Sequence, residues 1–305
     1  MTEPDERRPF GRLLTAMVTP FAADGGLDVD GAQRLASYLV DEQRNDGLVV
    51  SGTTGESPTT TDEEKDRLLR AVVEAVGDRA AVVAGVGTND TAHTVHLAQA
   101  AEKAGAAGVL VVTPYYNKPP QAGLLAHFRA AADATGLPAM LYDIPVRTGT
   151  PIETETLVRL AEHPRIVAVK DAKGDLEASA WVMARTGLAF YSGDDKVTLP
   201  LLSIGGVGVV GVPTHLVGAR TRGMIVAYES GDVGGALAAH RSLLPAFTGF
   251  FRTQGVILTK AALQLAGLPG GPVRPPLVDA TPEQLDTLRT DLAAAGVTVP
   301  ADAAS

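Results

Sequence analysis

Pro138-Ala139-Met140-Leu141-Tyr142-Asp143-Ile144-Pro145, followed by residues 154–162 and by Ile166-Val167-Ala168-Val169-Lys170-Asp171, decides the fold. The first and last pieces are short apolar runs closed by Pro or Asp, which read as buried strands, and the middle piece has the apolar spacing of an amphipathic helix. A strand that reaches the next strand through a helix runs parallel to it. The same unit recurs along the chain, with strands expected at 15–20, 47–52, 80–87, 108–114, 138–145, 166–171, 188–193 and 206–212. Residues 62–76, 91–104 and 124–135 supply further crossover helices. Eight such units suit an α/β fold, a (β/α)8 TIM barrel closed by its last strand, better than an open doubly wound sheet. The open sheet also lacks its G-x-G-x-x-G fingerprint, since the first run reads Thr15-Ala16-Met17-Val18-Thr19-Pro20. Residues 1–215 are expected to form the barrel carrying the active site. Residues 216–305 are expected to add three or four helices, broken at Gly231, Gly255 and 268–276, as an all-helical extension packed on the barrel.

Composition narrows the function. A chain of 305 residues that is 45% hydrophobic and 20% charged can bury a large core and is not disordered. A net charge of -9, from 35 carboxylates against 26 Lys and Arg, argues against a nucleic-acid or anionic-membrane surface. Cysteine is absent, which removes disulfides, thiolate catalysis and Cys-ligated metals. Residues 1–10 lack the apolar core of a secretory signal, no apolar run approaches a membrane span, and a cytoplasmic location is expected. Only residues 1–9 and the end from Val297 read as tails.

In a parallel barrel the active site lies at the C-terminal ends of the strands, so polar residues that end apolar runs are the candidates. The chain has seven lysines, and only Lys170 directly continues a hydrophobic strand. Strict alternation groups Ile166, Ala168 and Lys170 on one face; if that face is the interior, the ammonium sits in the barrel mouth. A desolvated amine there has a lowered pKa and can attack a carbonyl to form a Schiff base. A strand-end lysine that reaches solvent or pairs with Asp171 accounts for the position equally well. The turn Gly52-Thr53-Thr54-Gly55 offers hydroxyls and backbone N–H groups to a small carboxylate, although such turns also merely close βα loops. Tyr116 and Tyr142 end strands and can relay protons through a hydroxyl such as Thr53, or simply pack there. Arg147, between Pro145 and Gly149, could fork onto a carboxylate. His93 and His96 are three apart on a helix but have no evident third ligand, and no G-x-S-x-G elbow is present, so metal-dependent and serine-triad chemistry recede.

Together, Gly52-Thr53-Thr54-Gly55-Glu56-Ser57, Thr113-Pro114-Tyr115-Tyr116, Tyr142 through Gly149, Lys170-Asp171 and Ser192-Gly193-Asp194-Asp195 resemble, in order and spacing, the dihydrodipicolinate synthase family. The resemblance runs from about Gly11 to Val297. It implies a lyase without metal or other cofactor that condenses pyruvate with L-aspartate 4-semialdehyde to 4-hydroxy-tetrahydrodipicolinate, opening diaminopimelate and lysine biosynthesis. By the same resemblance Lys170 forms the imine. Tyr142, Thr53 and Tyr116 relay protons, the last phenol coming from a neighbouring subunit of a homotetramer built as a dimer of dimers. Thr54, beside Gly52, holds the pyruvate carboxylate, Arg147 anchors the semialdehyde carboxylate, and the Val210 carbonyl lies near the imine. Val210 stands where isoleucine is commoner. At the positions of the family's lysine feedback site stand Asp62, Lys65 and His93, with Ser57, Asn89 and Tyr115 retained. Lys65 would repel a lysine effector and His93 cannot replace a carboxylate, so weak or absent lysine inhibition is expected. The rival readings are a sugar-acid lyase of the same superfamily, such as N-acetylneuraminate lyase or a 2-keto-3-deoxy sugar acid aldolase, and a non-catalytic pyruvate or amino-acid binder on the same barrel. Arg147 favours a second carboxylate over a polyol.

Overall fold

A computed structural model describes residues 7–299, so most of both expected tails lies outside the described residues. Among the described residues eight parallel strands close into one barrel in chain order. They are β1 (Leu13–Ala16), β2 (Gly47–Val50), β3 (Ala81–Gly85), β4 (Gly108–Val112), β5 (Ala139–Asp143), β6 (Ile166–Asp171), β7 (Ala189–Ser192) and β8 (Gly208–Gly211). The helices are α1 (Val29–Asp41), α2 (Asp62–Val76), α3 (Thr91–Lys103), α4 (Gln121–Asp133), α5 (Pro145–Thr148), α6 (Thr154–Leu160), α7 (Leu176–Arg185), α8 (Thr198–Ser203), α9 (Thr214–Glu229), α10 (Val233–Gly249), α11 (Gly255–Leu265) and α12 (Pro282–Ala294). The expected (β/α)8 barrel is therefore present, with four α-helices after β8 among the described residues. Helix α9 follows β8 directly and packs on β1, and α10 lies against α9 and α12. No described helix is long and apolar enough to cross a membrane.

Alternation of side chains along the strands makes two cores. Leu14, Val49, Val83, Met140, Ala168 and Val210 fill the barrel, while Leu48, Val82, Val109, Leu141, Val169 and Phe190 face the helices. Closure of β8 on β1 depends on Gly208, where a Cβ would stand 2.1 Å from the Arg12 carbonyl oxygen. Helix α2 begins in a capping box of Thr61 and Glu64, with Asp62, Glu63 and Glu64 in its first turn, where the helix dipole favours negative charge.

Two details differ from the sequence pattern. The first strand covers Leu13–Ala16 rather than 15–20. The β-branched Val18 and Thr19 suggest a longer strand, but the Val18 N–H donates to His215 Nε2 and the Thr19 hydroxyl donates to the Gly55 carbonyl, so the chain leaves the sheet there. In β6 the pairing with β5 shifts register between Ala139 and Met140, with Ile166 opposite Ala139 and Ala168 opposite Met140. Ile166 therefore packs in the outer core while Ala168 lies inside, so strict alternation fails at the strand's start and holds from Ala168 onward.

Candidate active site

Lys170, the last residue but one of β6, lies beside Tyr142 of β5 and Tyr191 of β7, in register with both. Its side chain is 4% exposed, and Nζ stands 4.3 Å from the centre of the Tyr142 ring. Burial lowers the amine to about 8; the Arg147 charge pushes the same way, and Asp195 opposes them. The ring face and Asp195 thus offer the ammonium some compensation, but not enough to restore an ordinary lysine.

Tyr142 is itself buried, which pushes its phenol up to about 12, while Arg147 and a hydrogen bond with Thr53 pull it down. Thr53 belongs to a turn held from several sides. The Gly52 carbonyl accepts from the amides of Gly55 (3.1 Å) and Ser57 (3.3 Å), the Thr53 carbonyl accepts from Glu56 N–H (3.2 Å), and the Thr19 hydroxyl donates to the Gly55 carbonyl (2.6 Å). None of these bonds uses the amides of Thr53 or Thr54. Thr54 is buried. Ser51 and Glu56, at either end, take left-handed backbone angles of φ 54° and 53°. β3 makes room by ending in Gly85, where a Cβ would lie 2.4 Å from the Ser51 carbonyl oxygen.

Gly52, Thr53, Tyr115, Tyr142, Arg147 and Thr148 line one cavity of about 200 Å³, sized for small acids. Arg147 reaches it from the single turn of α5. The Thr148 hydroxyl donates to the Ile144 carbonyl (3.1 Å), and Gly149 ends the turn at φ 75°. Asp143 Oδ1 accepts from Ile152 N–H (3.1 Å) and fixes the return of the chain. Burial raises Asp143 to about 6, against the nearby Lys173 charge.

The structure brings Lys170 against the Tyr142 ring, and Tyr142, Thr53, Gly52 and Arg147 onto one cavity; Lys170 and Thr54 do not line that cavity. Val210, fully buried in β8, is the residue before Gly211 and lies in the same inner core as Tyr142. Tyr116 does not join them: it is 90% exposed at φ 73°, and its neighbour Tyr115 lines the cavity instead. His93 binds Asp62 through Nε2 at 2.9 Å, and Lys65 Nζ donates to the Thr60 carbonyl (2.6 Å) with Asp62 at 3.9 Å. Among the described residues no three His, Asp or Glu side chains converge as a metal site.

Reading strand ends for nucleophiles did not single out Asp195. It is 1% exposed, and burial pushes it up to about 7, although Val212 N–H donates to its Oδ2 (3.3 Å) and Lys170 pulls it down. Its Oδ1 has no hydrogen-bond partner among the described residues. The available signal was two adjacent aspartates one glycine past an apolar strand.

Comparison with known proteins identifies the family. The chain is 79% identical over 290 residues to a 4-hydroxy-tetrahydrodipicolinate synthase of Acidothermus cellulolyticus, covering 95% of this chain and 94% of that one. It is 67% identical over 289 residues to 4-hydroxy-tetrahydrodipicolinate synthase 2 of Streptomyces coelicolor, covering 95% and 96%. Its structure superposes with a TM-score of 0.93 on a lysine-bound dihydrodipicolinate synthase of Cyanidioschyzon merolae, at 44% identity over 95% of this chain and 99% of that one. The Dihydrodipicolinate synthetase family model matches residues 9–295. A closed barrel with one buried amine at its mouth, matched over nearly its whole length, places this chain in the dihydrodipicolinate synthetase family.

Proposed function

We propose that this lyase condenses pyruvate with L-aspartate 4-semialdehyde through a Schiff base on Lys170, giving 4-hydroxy-tetrahydrodipicolinate. One observation carries the chemistry: a lysine lowered to about 8 by burial, against the ring of a tyrosine that is hydrogen-bonded to Thr53. The relatives from Acidothermus cellulolyticus and Streptomyces coelicolor carry the synthase name rather than that of a sugar-acid lyase.

The amine of Lys170 adds to the keto carbon of pyruvate, and the keto oxygen leaves as water after proton transfers. The imine then loses a methyl proton to give the enamine, which attacks the aldehyde carbon of the second substrate while the aldehyde oxygen takes up a proton. The amine of the bound semialdehyde adds to the imine carbon and displaces Lys170, closing the ring. A phenol near 12 stays protonated at neutral pH, so Tyr142 serves as the acid that Thr53 returns to its starting state. The Thr54 turn receives the keto-acid carboxylate with N–H groups and hydroxyls, which adds no second full charge beside Lys170. Arg147, exposed at the rim, suits the carboxylate of the incoming semialdehyde.

We further infer a cytoplasmic homotetramer, a dimer of dimers in which Tyr116 completes a neighbour's proton path. A phenol held 90% exposed at φ 73°, outside the cavity of its own chain, supports that role. Light scattering of the purified protein reads the assembly, and a monomer with full activity would remove it. The activity itself is tested by steady-state assay with pyruvate and aspartate semialdehyde, with and without chelator. Borohydride added with pyruvate should leave a mass gain on Lys170; an unmodified lysine would overturn the mechanism.

A further inference from the structure

Behind the Gly52–Glu56 turn lies an ion pair that the reaction does not use. Glu56 Oε1 meets Lys260 Nζ of α11 at 2.6 Å, with both side chains 2% exposed. Lys260 also donates to the Pro272 carbonyl (2.7 Å) and stands 4.2 Å from the centre of the Phe21 ring. The other Glu56 oxygen accepts from the backbone N–H of Arg274 (2.8 Å). The Arg274 guanidinium lies 4.0 Å from the same Phe21 ring and donates to the carbonyls of Thr59 (2.8 Å) and Gly25 (2.7 Å). Chain from beyond the barrel thereby grips the far side of the turn and the loop after β1.

A buried ion pair contributes little net stability, because desolvating both charges offsets their attraction. The cost falls on a residue with φ 53°, a backbone region that side chains other than glycine rarely adopt and that is held only where the surroundings over-determine it. Glu56 also closes the turn, its N–H donating to the Thr53 carbonyl (3.2 Å), so whatever fixes Glu56 bears on the backbone of Thr53 and Thr54. We propose that Glu56 and Lys260 are a positioning pair through which the C-terminal helices aim the Thr53-Thr54 turn at the carboxylate of the keto acid. The inference rests on the reading that this turn receives the carboxylate and Lys170 the keto carbon.

The test compares two methyl ketones, pyruvate and acetone, by the rate at which borohydride traps each on Lys170. Only pyruvate carries the carboxylate the turn would hold. In Lys260→Met and in Glu56→Gln the pyruvate rate falls about tenfold or more, the scale of a charged hydrogen bond, while the acetone rate stays within about twofold. The KM for pyruvate rises with it, and the KM for the semialdehyde does not. The double variant Glu56→Gln/Lys260→Met leaves no unpaired buried charge and decides the matter if either single variant melts below the assay temperature. Folded variants that keep the wild-type pyruvate-to-acetone ratio overturn the positioning pair. Wild-type protein that traps no pyruvate on Lys170 overturns instead the Schiff-base reading beneath it.

Discussion

The titration of Lys170 is the most direct consequence of its burial. An exposed lysine titrates at 10.5, whereas this one titrates near 8. At pH 7.4 the free-amine fraction rises from roughly 0.1% to about 20%, some 250-fold, equivalent to about 3 kcal/mol of differential solvation. Trapping with pyruvate and borohydride between pH 6 and 9.5, read as modified Lys170 peptide at early times, is therefore expected to rise with a midpoint near 8. Asp195→Asn removes the buried carboxylate that favours the ammonium, so the midpoint moves to lower pH. A wild-type midpoint at 10 or above would refute the burial argument. A midpoint in Asp195→Asn equal to or above wild type would refute the part given to Asp195.

Other expectations can be checked separately. Arg147→Ala should lose about 1.5 kcal/mol of transition-state binding for the semialdehyde, roughly tenfold in kcat/KM, with pyruvate trapping unchanged at pH 9.5, where Lys170 is deprotonated whether or not the Arg147 charge helps to lower it; equal loss for both substrates at that pH would contradict its place at the rim. Lysine should inhibit weakly or not at all, because Asp62 is already engaged by His93 and Lys65 adds a positive charge there; inhibition at submillimolar lysine in the coupled assay would count against this. His215 is fully buried, its Nδ1 donating to the Val212 carbonyl (2.7 Å) and its Nε2 accepting from Val18 N–H (3.2 Å), and burial lowers it to about 4 from 6.5. The unfolded chain then binds the extra proton first, so this site's contribution is complete above about pH 6.5 and is lost as pH falls toward 4, up to about 3 kcal/mol. Melting temperatures from pH 7.5 to 4.5 should fall less steeply in His215→Gln, and parallel curves would show that the site does not contribute.

The barrel was legible because parallel strands buried on both faces are written as short apolar runs, and because the crossover helices carry their own spacing. Lys170 stood out for the same reason: of seven lysines it alone continues such a run, although position by itself left pairing with Asp171 an equal explanation. What escaped was set by distant partners. The true extent of β1 depends on His215 taking the Val18 amide, some two hundred residues away in sequence. Asp195 sits in a quoted motif but carries no role there, because its importance comes from what buries it, and the grip of Lys260 on Glu56 joins segments that no local pattern connects.

The register shift at the start of β6 has a consequence for variation among related chains. Because the strand's phase is reset between Ile166 and Ala168, the parity of residues upstream does not carry through to Lys170. A residue gained or lost in the connection from α6 is therefore expected to leave the amine facing inward, because the pairing from Ala168 onward sets its side.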